Sequence, residues 1–128
     1  MGFHTIQILA VAIGGATGAV LRFGISRGVH SVFGLSFPLG TLVVNVVGSF
    51  LIGFLSVYFL EKFASMPALR LGMTVGLLGA LTTFSTFSLE TLTLLDQGQL
   101  IKAAANVALN VVLCLLLAWL GMVFARQL

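Results

Sequence analysis

LGTLVVNVVGSFLIGFLSVYFL, residues 39–60, is a run of 22 residues without an Asp, Glu, Lys or Arg. As a helix it would cover roughly 30 Å, the thickness of a bilayer's hydrocarbon core. Outward from this run, the charges divide the rest of the chain into three more apolar stretches. Residues 5–25 carry Arg22 near the far end, residues 71–95 carry Glu90 in the last third, and residues 103–125 follow. The chain of 128 residues is read as a single domain, 1–128, with hydrophobic residues at 59% and charged residues at 7%. An ordinary soluble protein is about 25% charged, so a water-soluble monomer is excluded. The expectation is an all-α membrane protein with four transmembrane helices.

The connections read as loops for local reasons. Arg27-Gly28-Val29-His30 and Phe37-Pro38-Leu39-Gly40 supply polar residues and helix breakers between the first two spans. Glu61-Lys62 and Met66-Pro67 mark an exit and a re-entry, and Asp96-Gln97-Gly98-Gln99 is a short polar turn. That turn predicts antiparallel neighbours for the third and fourth spans. Tyr58 and Trp119 lie towards span ends, where amphipathic rings favour the headgroup region. No basic segment precedes the first apolar stretch, so it reads as a retained span and not as a signal peptide.

Six Lys/Arg against three Asp/Glu leave a net charge of +3, too sparse for a nucleic-acid surface. Cys114 has no partner for an intrachain disulfide, and no Cys/His cluster suggests zinc. With no Ser-His-Asp arrangement, phosphate loop or metal motif, enzyme activity is not expected.

The positive residues split evenly across four spans. Lys62, Arg70 and Arg126 fall on one side of the membrane, Arg22, Arg27 and Lys102 on the other. Lys and Arg near span ends normally fix orientation. An even split allows either a weak residual bias or insertion in both directions, with two copies pairing antiparallel as inverted repeats do in larger transporters. Gly14/Gly18, Gly24/Gly28 and Gly72/Gly76 have the small-xxx-small spacing that lets helix backbones approach closely.

The third span holds the unusual chemistry. Within Gly76-Leu-Leu-Gly79-Ala-Leu-Thr82-Thr83-Phe84-Ser85-Thr86-Phe87-Ser88, five hydroxyls fall in seven residues. Gly79, Thr82 and Thr83 weaken a helix there, and a broken helix frees polar backbone groups that can form ion sites. The alternative is a continuous helix whose hydroxyls bond back to the preceding turn. Phe84 and Phe87, three apart, share a face; ring edges carry partial positive charge and can hold a small anion without a formal cation. Ordinary packing is the competing reading. Asn45 in the second span, with Asn106 and Asn110 four apart on the fourth, offers amide hydrogens to an anion or to a neighbouring helix. Thr41, one turn before Asn45, extends that lining. Arg22 and Glu90 are the charges inside the spans; Arg22 can snorkel, and Glu90 is a proton carrier, a partner for Arg22 or a pore-mouth residue. His4 and His30 read as surface residues.

These motifs resemble the Fluc (CrcB) family of fluoride channels. The resemblance is carried by Gly40-Thr41-Leu42-Val43-Val44-Asn45, by Gly79 to Ser88, by Gly14-Gly15-Ala-Thr17-Gly18-Ala-Val-Leu-Arg22 and by Glu90, and it covers nearly the whole chain. It implies an antiparallel dual-topology homodimer in the bacterial inner membrane, with a broken third helix and two fluoride pathways. Phe84 and Phe87 match the family's pore phenylalanines, and Asn45 its pore asparagine. Thr83 and Ser85 belong to the same polar segment, and Asn110 matches a variable polar position near the fluoride path. Gly79 and Thr82 match the break whose carbonyls enclose a structural sodium ion shared by both subunits. Arg22 and Glu90 are typical of the family. The expected partners are therefore fluoride, a second copy of the chain and membrane lipid. The chain departs from the pattern at Ala80, whose methyl would crowd a sodium ion at the break, and at Leu113-Cys114, where Gly-Ser is frequent. Two rival functions remain at this level: a proton-coupled small-molecule exporter using Glu90, and a non-transporting assembly subunit.

Overall fold

Several helix ends in this protein coincide with glycine or proline. The computed structural model describes residues 2–34 and 36–128. The first helix, α1 (Phe3–Phe33), closes on Gly34 in the left-handed region (φ 55°), whose N–H returns to the His30 carbonyl. Pro38 then caps α2 (Leu39–Lys62), and Pro67 opens α3 (Pro67–Leu71) at the first helical position. A π-helical stretch (Gly72–Leu78), α4 (Gly79–Leu81) and α5 (Phe84–Asp96) complete the third span. Gly98 (φ 71°) turns the chain into α6 (Leu100–Ala125). Among the described residues, four segments are long and apolar enough to cross a membrane: Phe3–Phe33, Leu39–Lys62, Pro67–Asp96 and Leu100–Ala125.

One expected loop is helical. Arg27-Gly28-Val29-His30 continues α1 without interruption. A single helix-interior glycine costs only about 1 kcal/mol against alanine, and no proline follows until Pro38. The Arg27 guanidinium lies 5.4 Å from the centre of the Phe23 ring one turn earlier, the i, i+4 contact that a continuous helix provides. At 31 residues, α1 is about 46 Å long and outreaches the hydrocarbon core.

Small residues set the helix seams. A Cβ on Gly14 would collide with the Gly72 carbonyl, and one on Gly18 with the Leu77 carbonyl; Gly76 in turn presses on the Val11 backbone. Two of the three glycine pairs thus face each other across α1 and the π-helical stretch, while among the described residues no atom lies within 4 Å of where a side chain would begin at Gly24 or Gly28. The second seam joins α2 to α6, where Gly53 meets the Ala118 carbonyl and Gly121 the Phe50 carbonyl. Between the seams, Val44, Leu78 and Leu81 form the buried core. As the short turn predicts, α5 packs on α6.

Candidate functional site at the break in the third span

The third span loosens before it breaks. Thr74 donates its hydroxyl to the Arg70 carbonyl (2.7 Å), and the Gly79 N–H reaches both Gly76 and Thr74 carbonyls. The wider π turn is tolerated where glycine-lined backbone packs directly on α1. Helix then ends at Leu81, and Thr82 (φ −84°, ψ 156°) and Thr83 (φ −151°, ψ 121°) are extended. The Thr83 side chain accepts the Thr86 N–H at 3.2 Å and so caps the restart of helix at Phe84.

An asparagine from another helix satisfies the opened backbone. Asn45 Oδ1 accepts the Thr83 N–H (2.8 Å), and Asn45 Nδ2 donates to the Thr83 carbonyl (3.1 Å) and to Asn110 Oδ1 (3.0 Å). In an unbroken α-helix the Thr83 N–H would bond the Gly79 carbonyl, which therefore loses its helical donor. The chain of bonds continues. Asn110 Nδ2 donates to the carbonyl and side chain of Asn106 (2.9 and 3.1 Å), Asn106 Nδ2 to Thr91 Oγ1 (3.0 Å), and Thr91 to the Phe87 carbonyl (2.8 Å). Because the Thr83 N–H can only donate, it fixes the orientation of every amide after it. This ladder ties α2, α5 and α6 around the break. Asn106, fully buried, is expected from its spacing of four from Asn110 as an amide donor, though the family resemblance assigns it no site role; here its amide serves a neighbouring helix.

A cavity of about 450 Å³ opens beside the break. Asn45, Gly79, Thr82, Thr83, Phe84, Phe87 and Asn110 from the expected site all line it. The two phenyl rings stand 5.4 Å apart and tilted by 55°; Phe87 is 8% exposed and Phe84 77% exposed. Ser85 is exposed, with its hydroxyl 3.3 Å from that of Thr83. Arg22, Thr41 and Glu90 lie elsewhere, on the wall of a second cavity of about 420 Å³ that also includes Thr83. There Thr41 donates to Glu90 Oε1 at 2.7 Å, and the buried Oε2 has no hydrogen-bond partner among the described residues. Thr83 is common to both cavities. The Ala80 side chain projects towards Gly18 on α1, where a Cβ would stand 3.1 Å from its methyl. Cys114 lines the first cavity and is partly buried.

Residues 9–122 match the family described as CrcB-like protein, Camphor Resistance (CrcB). The chain belongs to this family. Relatives named fluoride-specific ion channel FluC include one from Geotalea uraniireducens, 46% identical over 121 residues, covering 94% of this chain and 98% of the relative. One from Shewanella amazonensis is 54% identical over 116 residues, covering 90% and 92%. Another, from Methylococcus capsulatus, is 54% identical over 123 residues, 96% of this chain, which spans 54% of that relative's length. Bacterial CrcB-like relatives and four candidate spans make this a multi-pass bacterial membrane protein.

Proposed function

We propose that the chain is a fluoride-specific channel of the inner membrane, built from two antiparallel copies and letting cytoplasmic fluoride leave down its electrochemical gradient. In acidified surroundings fluoride crosses the membrane as neutral HF, ionises in the less acidic cytoplasm and is trapped, and a passive path out relieves it. One observation carries the reading: the tilted Phe84–Phe87 pair on the wall of a cavity built around a mid-span break, in a chain with near-full-length relatives named FluC.

The chemistry follows from the walls. Ring edges with partial positive charge replace part of the anion's hydration without a formal cation, so the ion is held weakly enough to leave. Thr83 lines this cavity, and the Ser85 hydroxyl, 3.3 Å from that of Thr83, lies beside it and not on its wall. Asn45 and Asn110 use their amide hydrogens inside the subunit, and so act by holding Thr83 and aiming the start of α5. Arg22, Thr41 and Glu90 form the polar wall of the adjoining cavity. The high exposure of Phe84 within one subunit supports a second copy that completes the path.

Gly79 and Thr82 are the residues that would hold a structural sodium ion between the two copies. The fit is favourable: Gly79 is exposed, its carbonyl has lost the Thr83 donor, and a hard cation takes oxygen ligands. The direction of the Ala80 methyl, towards Gly18 on α1, supports room for such an ion at the break. Such an ion would supply ion–dipole attraction that joins the two breaks.

Fluoride efflux from liposomes containing the purified protein, read by a fluoride electrode with chloride as the paired control, tests the proposal. Rapid fluoride release without chloride release is expected. Equal leakage of both ions, or no fluoride flux, would overturn it.

A further inference from the structure

A desolvated anion needs hydrogen-bond donors, and most donors around the 450 Å³ cavity are already engaged. Both amide hydrogens of Asn45 go to the Thr83 carbonyl and Asn110, and those of Asn110 go to Asn106. The hydroxyls of Thr74 and Thr82 bond back to the Arg70 and Leu78 carbonyls. That of Thr83 goes to Thr86 Oγ1 at 3.1 Å. Ser49 is different. It lines the cavity from α2, four residues beyond Asn45 and hence on the same helical face, and among the described residues its hydroxyl has no hydrogen-bond partner. Serines in helices ordinarily bond back to the preceding turn, as Ser56 does to the Gly53 carbonyl on the same helix (2.8 Å). The adjacent Gly48 brings α2 close to the break, because a Cβ there would collide with the γ-methyl of Thr82.

The structure assigns Ser49 as the hydroxyl that donates to the anion in this cavity. On the fluoride reading, which this assignment rests on, the permeating ion meets ring edges from Phe84 and Phe87 and one O–H from Ser49. A single neutral donor lowers the cost of lost hydration without creating a trap. The hydroxyl rotates freely, so it can follow an ion moving past and return empty.

The test is fluoride efflux from liposomes carrying the wild-type protein, Ser49→Ala, Ser49→Cys and Ser49→Thr, with the oligomer of each followed by size-exclusion chromatography. Loss of one hydrogen bond to a charged partner predicts a slowing of about tenfold or more for Ser49→Ala. Ser49→Cys, nearly isosteric and a poor donor, should slow likewise. Ser49→Thr retains the hydroxyl and should stay near the wild-type rate. A Ser49→Ala protein that assembles and runs at the wild-type rate overturns the assignment, as does Ser49→Thr slowed as much as Ser49→Ala. If Ser49→Ala fails to assemble, the Ser49→Cys and Ser49→Thr pair decides by the same comparison. Wild-type vesicles that move no fluoride overturn the channel reading itself, and this assignment with it.

Discussion

Phe84 and Phe87 lie three residues apart on α5 yet serve different surroundings, since Phe84 is largely exposed in one subunit and Phe87 is packed inside it. Isoleucine keeps most of the bulk and removes the aromatic quadrupole. Phe84→Ile should therefore nearly abolish fluoride efflux while leaving thermal stability unchanged, because little of the ring is buried within the subunit. Phe87→Ile should abolish flux too, with an added loss of about 1–3 kcal/mol from the altered shape of a buried side chain. Unchanged flux in both variants would remove the ring edges from the mechanism. Asn45→Ala leaves the Thr83 N–H and carbonyl without their side-chain partner, and each orphaned buried group costs about 1–3 kcal/mol. A melting temperature within a degree of wild type would show that the clamp is not needed. At this scale the shared face of the phenylalanines was legible from spacing. The direction of the asparagine bonds was not, because it depends on a Thr83 N–H that becomes available only when the helix opens.

The third span is an element defined by its interruptions. Its break could be read from Gly79 and the run of hydroxyls only as one of two readings, since these residues weaken a helix yet can also bond back to the preceding turn, as Thr82 does to the Leu78 carbonyl. The π-helical stretch could not, because Gly72–Leu78 contains nothing an α-helix refuses; the wider turn arises from packing against α1. The length of α1 was hidden for the opposite reason, as Gly28 and His30 look like loop residues until Arg27 is seen lying over Phe23. Glycine substitutions separate the seams from the site. Gly53→Ala and Gly121→Ala force a methyl into a facing carbonyl and should each destabilise the subunit by about 1–3 kcal/mol, measured by thermal melting in detergent. At Gly79 a Cβ would meet only the Thr74 carbonyl, at 3.8 Å, an ordinary contact. Gly79→Ala should thus leave the subunit's packing intact and act on what lies outside it, weakening sodium-dependent dimer stability. If Gly79→Ala melts like Gly121→Ala and sodium has no effect on either, the carbonyl site between copies is wrong.

Orientation belongs to the molecule as a whole, and it rests on very few charges. Three Lys/Arg at each end leave the insertion machinery without a net instruction, so the proposed antiparallel pair follows from a balance that one or two residues can upset. Ser65→Lys with Gln127→Lys adds positive charge at the end that carries Lys62, Arg70 and Arg126, at exposed positions that touch neither cavity. Ser31→Lys with Gln97→Lys adds it at the other end. Each doubly substituted protein should insert in one direction, read by labelling a terminal tag from outside the cell, whereas the wild-type tag should label from both faces. A single orientation leaves no antiparallel partner, so either variant made alone should lose fluoride efflux. Both made together should recover it, since each supplies the orientation the other lacks. Wild-type tags confined to one face, or full efflux from a variant shown to insert one way, would mean that the subunits do not pair head to tail.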